Sequence, residues 1–247
     1  AEITVSKGIK VTGLLIGDAA FNACKKLAKL SLPQGLQAIN AETFKQCESL
    51  EEVFIPKTVT FIGVDAFSKC TNLRIVNIED GYIYKETKGE DGEVTKEIVN
   101  YLEIGAGKAT SDYEGNYTYN GAFANCPALA EITIPNRMKT VGQYAFVNSG
   151  LKTVNISNDV EILDFGAFYQ NTSLKTVNFA ENGALKIIGE QAFYKSAIEE
   201  IVIPEGVIAV KKSAFGYNNE LVKVTLPSTL STITGRSSQT ASSEDKT

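Results

Sequence analysis

One pair of residues recurs along this chain at a nearly fixed step. Ala-Phe appears with its Phe at Phe21, Phe67, Phe123, Phe146, Phe168, Phe193 and Phe215, and Thr43-Phe44 is a variant. The steps between successive Phe residues are 23, 23, 56, 23, 22, 25 and 22. The long step is one period of 23 plus an insertion of 33. Self-similarity at such a period is the mark of a repeat architecture.

The surroundings of each Phe repeat as well. Three residues on stands Cys24, Cys47, Cys70, Cys126, Ser149, Asn171, Ser196 or Asn218. A Leu or Ile follows, then two apolar residues separated by one, such as Val53-x-Ile55 or Val154-x-Ile156. That period of two predicts a short strand with one buried face. Pro often closes it (Pro56, Pro135, Pro204), since Pro has no N–H for a ladder. A second apolar pair and a Gly-bearing turn come next, at Gly63, Gly142 and Gly189. The Ala-Phe segment then predicts one short helical turn that plugs its Phe into the core. A 23-residue unit cannot bury its apolar side alone, so the units must stack into a solenoid.

The unit Ile55-Pro56 through Ile78 resembles the leucine-rich repeats of bacterial surface antigens, called BspA-like. The resemblance covers about residues 3–235. It implies a β-rich α/β solenoid, a right-handed horseshoe or arc of about eight repeats of 22–25 residues with one β-hairpin insertion. It also implies a secreted or cell-surface protein engaged in adhesion, with a protein ligand such as a host matrix protein. In repeats of this kind the residue three after the Phe faces inward and bonds backbone in the turn. On that basis Phe21, Phe44, Phe67, Phe123, Phe146, Phe168, Phe193 and Phe215 form the repeat core with Cys24, Cys47, Cys70 and Cys126. The four Cys are then buried free thiols. A disulfide between stacked neighbours such as Cys24 and Cys47 is the alternative.

Composition removes several chemistries. The chain has no His, which excludes Ser-His-Asp and Cys-His catalysis. No Cys-x-x-Cys accompanies the thiols, so no metal site is expected. No cofactor is expected either, because the Gly residues fall at repeat turns rather than in a phosphate-binding loop. A net charge of −5 argues against nucleic acid as a partner. No run of about 20 apolar residues provides a transmembrane segment.

Residues 79–120 break the period. Asp80-Gly81-Tyr82-Ile83-Tyr84 and Glu97 to Leu102 alternate around a polar turn, which predicts a hairpin over about 80–108. The segment from Glu79 to Lys108 holds eight acids and four bases, so most of the net charge sits there. Six of the ten Tyr lie in 79–120. They form either an adhesive flap or packing against the solenoid flank. Glu90-Asp91-Gly92-Glu93 reads as a solvated turn rather than a Ca²⁺ loop.

The outward strand positions offer a second candidate. They are mostly polar, except that Phe54 and Ile75 fall side by side on adjacent repeats, flanked by Glu52 and Asn77. An exposed apolar spot can mark a partner site. The candidate contact residues are therefore Phe54, Ile75, Glu52 and Asn77 with Tyr82, Tyr84 and Tyr101. A non-enzymatic binding module is the first expectation. A structural spacer in a larger surface protein and a glycan-binding protein are the alternatives. Residues 1–235 form the repeat domain, and 236–247 read as a flexible tail or linker. The start at Ala1 and the uncapped last half-repeat are expected of a processed or truncated chain.

Overall fold

The computed structural model describes Glu2–Ile3, residues 14–89 and residues 92–234; for Glu2–Ile3 it describes the backbone alone. Nine turns of chain stack into a β-solenoid, and each turn contributes two short strands. The first strands form face A: Glu2–Ile3, Lys29–Leu30, Glu52–Ile55, Ile75–Ile78, Glu131–Ile134, Thr153–Ile156, Thr176–Phe179, Glu200–Val202 and Lys223–Thr225. The second strands form face B: Leu14–Ile16, Leu36–Ile39, Phe61–Ile62, Glu103–Ile104, Thr140–Val141, Ile162–Leu163, Ile187–Ile188, Ala209–Val210 and Thr232–Ile233. Pairing between turns is parallel and in register, as with Val154 beside Val177 and Ile188 beside Val210. The tail expected at 236–247 lies outside the described residues.

The Phe column runs through the third side. Consecutive rings from Phe21 to Phe215 stack with centroids 5.2 to 5.5 Å apart. Phe67 and Phe123, 56 positions apart in sequence, are 5.2 Å apart in space. The insertion is thus looped out, and the stack continues beneath it. The six inner rings are fully buried, while Phe21 and Phe215 at the two ends are partly exposed.

The Ala-Phe segment differs from the expected helical turn, and no helix occurs among the described residues. Two residues in nearly every segment take positive φ, as Asp65 at 58° and Lys69 at 60° do around Phe67; the Phe123 segment has Asn125 alone. A helix would aim each N–H back along its own chain. The left-handed residues instead turn alternate N–H groups toward the neighbouring turn. Phe67 N bonds Ala122 O at 2.7 Å, and Lys69 N bonds Ala124 O at 2.9 Å. Hydrogen bonds between turns replace hydrogen bonds within one.

Glycine is required at Gly63 for a different reason. An added Cβ there would lie 2.4 Å from Ala41 N, because consecutive turns approach closely at that corner.

The column three residues after the Phe follows one rule from Cys47 onward, with Ser196 the exception. The side chain donates to the carbonyl of the Phe one turn earlier. Cys47 Sγ reaches Phe21 O at 3.3 Å, Cys70 reaches Phe44 O at 3.2 Å and Cys126 reaches Phe67 O at 3.2 Å. Ser149 Oγ bonds Phe123 O, and Asn171 and Asn218 Nδ2 bond Phe146 O and Phe193 O. All four thiols are free. Burial pushes the Cys47 thiol up to about 11 and the Cys126 thiol up to about 12, and raises Cys70 as well. Cys24 corrects the expectation of a buried column: it is exposed. Residues 1–20 contain no Phe whose carbonyl it could meet.

Candidate interaction surface

The insertion enters the solenoid in two pieces. A first antiparallel hairpin pairs Tyr84–Lys88 with Val94–Ile98 and stands almost wholly exposed. The chain then returns to lay Leu102 and Ile104 into the core and to pair Glu103–Ile104 with Phe61–Ile62. A second hairpin follows, Lys108–Ser111 with Tyr117–Asn120, where one hairpin was expected in all. The acidic Glu90-Asp91 of the first tip lies outside the described residues.

The first hairpin is held at its base by two buried polar side chains. Asn100 Nδ2 donates to Lys57 O and Gly81 O, and its Oδ1 accepts from Ile83 N at 2.7 Å. Arg137 is fully buried. Its Nη1 donates to Val59 O at 2.6 Å, its Nη2 to Pro56 O at 3.3 Å and its Nε to Glu79 O at 2.8 Å. Burial pushes the guanidinium down to about 10, and the nearby charges of Asp80 and Glu79 hold it up in part. The Tyr82 hydroxyl meets the Asp159 carboxylate and lies 3.1 Å from Asn136 O. Tyr82 is therefore half-buried packing. Tyr84 and Tyr101 stand edge-on to it at 6.3 and 6.0 Å and remain exposed. Lys139 Nζ lies 5.8 Å from the Tyr101 ring centroid.

The second hairpin packs onto the solenoid flank. Tyr119 meets Tyr169 at 5.1 Å and Tyr144 at 5.5 Å, over a small second core with Ala124 and Val147. From Tyr169 the row continues to Tyr194 at 5.0 Å and Tyr217 at 4.9 Å.

Between the fourth and fifth turns both ladders stop. On face A, Ile75–Ile78 pairs with Glu52–Ile55 and Glu131–Ile134 pairs with Thr153–Ile156, but no ladder joins Ile75–Ile78 to Glu131–Ile134. On face B, Glu103–Ile104 ends one sheet and Thr140–Val141 begins the next. Face A is interrupted elsewhere too, whereas face B has this single break among the described residues. The two halves are joined through the Phe stack, the Arg137 bonds and the second hairpin.

A cleft of about 680 Å³ opens on face A at this seam. Phe54, Arg74, Ile75, Asn77, Glu79, Glu131 and Thr133 are among its lining residues. Phe54 is 47 % exposed and Ile75 45 % exposed. In the strand register Phe54 faces Asn77, and Glu52 faces Ile75. Four of the seven candidate residues named from sequence thus sit in or beside one cleft. Tyr84 and Tyr101 belong to the hairpin base that begins at its edge, and Tyr82 is spent on packing. Among the described residues no group of three or more Cys, Asp or Glu is placed to hold a metal ion. No helix among them is long and apolar enough to cross a membrane.

Arg137 and Asn100 escape the repeat pattern, yet Arg137 leaves a trace in it. Its equivalents in other turns are Gly35, Thr58, Asp159, Gly206 and Thr229. Thr58 and Thr229 bond one turn back, to Leu36 O and Val207 O. A long cationic side chain among small or acidic ones signals a wider gap to span.

A family model described as a BspA type leucine rich repeat region matches residues 2–87 and 116–220 in six copies. The chain belongs to that family. The stretch left unmatched runs from the first hairpin into the second, so the family pattern and the stacked turns part at the same place. Among solved structures, a leucine-rich repeat protein from Bacteroides ovatus aligns over 92 % of this chain and 63 % of its own, at 19 % identity and a TM-score of 0.56. One from Eubacterium ventriosum aligns over 90 % and 55 %, at 20 % identity and 0.56. The leucine-rich repeat protein of T. pallidum aligns over 85 % and 72 %, at 22 % identity and 0.51. These likenesses establish the fold. The chain spans less than two thirds of the first two proteins. No curated protein matches.

Proposed function

We propose that this chain is a non-catalytic protein-binding module displayed outside the cell, and that it engages its partner on face A at the seam. The observation that carries this is the pair Phe54 and Ile75. Two large apolar side chains, each nearly half exposed, stand on adjacent turns at the rim of a cleft. The outward positions of the neighbouring turns are Thr133, Asn155 and Asn178, tied together by side-chain hydrogen bonds. Apolar anchors within a polar rim are the arrangement of a protein interface. Membership of the family supports a surface location and a binding role, and adhesion to a host matrix protein is the form we favour.

The test is a binding panel of matrix proteins and glycans on the intact chain and two variants. Phe54→Ser with Ile75→Ser should lower affinity at least about tenfold while leaving the thermal midpoint in place. Excision of residues 84–98 should change it less. That excision spares Leu102 and Ile104, and its ends are adjacent because Val99 N bonds Ile83 O at 3.0 Å. Glycan binding that survives both changes would overturn the proposal.

A further inference from the structure

Ile75 stands between two carboxylates on the outer side of face A. Glu52 faces it in the strand register, and Glu131 holds the same repeat position on the next turn. Phe54, Ile75, Glu79 and Glu131 line one cleft. None of the three carboxylates has a cationic partner among the described residues. Glu79 accepts from Lys57 N and Glu131 from Asn155 Nδ2, both uncharged donors. Arg74, the one basic residue among those lining the cleft, is paired with Glu51. Lys29 and Lys152 stand one turn beyond the cleft on either side and do not line it.

From this arrangement we infer that the partner is a basic protein, and that Lys or Arg side chains on its surface seat over Ile75 and Phe54. The inference rests on the function proposed above and names the chemistry that this surface takes. A long basic side chain is apolar along its stem and cationic at its tip. Neighbouring turns lie about 4.8 Å apart, within the span of such a stem. Its methylenes therefore cover Ile75 while its tip reaches Glu52 on one turn or Glu131 on the other. A guanidinium also stacks on the face of the Phe54 ring. A purely apolar partner would cover the same two side chains and strip water from the carboxylates without supplying a counter-charge, which is costly. An acidic partner would add repulsion to that cost.

A displayed library of a small randomised protein domain, with acids and bases equally frequent, tests this. It is selected on the intact chain and counter-selected on Phe54→Ser with Ile75→Ser, so the binders that remain use the seam. They should carry Lys or Arg beside aliphatic or aromatic residues. Glu52→Gln with Glu131→Gln should lower their affinity roughly tenfold, and raising salt from about 0.05 to about 0.5 M should slow association by roughly as much. Both carboxylates are exposed, and Gln keeps the acceptor that Asn155 uses, so the thermal midpoint should hold. If the double variant fails to fold, the salt dependence of the unaltered chain decides. Seam binders that lack basic residues, or whose binding neither change moves, overturn the basic partner and leave the surface standing. A selection that yields no binder sensitive to Phe54→Ser with Ile75→Ser removes the surface and this inference with it.

Discussion

Arg137 Nη1 donates to the carbonyl oxygen of Val59 across 2.6 Å, linking the fifth turn to the third. The fourth turn should have filled that space, but its chain leaves there to form the first hairpin. A guanidinium reaches where a threonine in other turns spans a single step. Arg137→Met would leave the carbonyls of Val59 and Glu79 without this donor, while Pro56 O keeps its bond from Val59 N at 3.0 Å. Each buried, unpaired acceptor costs roughly 1–3 kcal/mol, so we expect a loss of about 3 kcal/mol or more. Denaturant unfolding should show it. Hydrogen exchange at residues 79–101 should rise more than exchange in the sixth to eighth turns.

The Phe column predicts a graded response. Phe123→Ala at the buried centre should cost about 3–5 kcal/mol. Phe215→Ala, where the ring is partly exposed, should cost roughly 2 kcal/mol. Equal costs in chemical denaturation would show that the stack does not share its load along the axis.

Thiol reactivity should separate one Cys from three. Cys24 is exposed and should react at once in the native chain. Cys47, Cys70 and Cys126 are buried and protonated, and should react only on unfolding. Titration with a thiol reagent, before and after denaturant, should count one and then four.

The same burial makes the fold sensitive to alkali. Folded-state values for Cys47 and Cys126 lie above the usual 9.0 of a free thiol. Burial also pushes the Tyr144 hydroxyl up to about 12. A raised folded value means the native state keeps protons that the unfolded chain releases. Stability from these groups is therefore complete below pH 9 and declines as pH rises through 11 to 12. Melting temperature followed from pH 8 to 11 should fall, and Cys47→Ser with Cys126→Ser should flatten the early part of the fall.

Ser196 holds the inward position of the seventh turn without a hydrogen-bond partner. Its neighbours Asn171 and Asn218 both reach a Phe carbonyl at 2.8 Å. Ser196→Asn should supply the missing bond to Phe168 O and stabilise by about 1 kcal/mol. A thermal midpoint unchanged or lowered by the substitution would mean the seventh turn is too tight for the longer side chain.

Much of the architecture was legible in the residues because stacking repeats one problem many times. Val53-x-Ile55 and its equivalents had to be strands, and the Phe residues had to meet, whatever the details of the turn. The helical turn was misjudged because Ala-Phe-x-x-Cys carries no sign of positive φ: Asp65, Lys69, Gln170 and Ser213 all adopt it without being Gly. Their conformation is imposed by hydrogen bonds to a neighbouring turn, which no local pattern contains. Cys24 was misjudged for a related reason, since membership of a column does not state which member stands at its end.

The amino-acid order alone settled the period, the identity of the inward residues and the location of the insertion, because burial demands the same side chains at every turn. Only the tertiary structure decided what the insertion does to the stack. Displacing one turn's chain leaves both strand ladders open at a single junction. That junction turns Phe54 and Ile75 from two exposed side chains into the rim of a cleft, with Arg137 closing the gap beneath it.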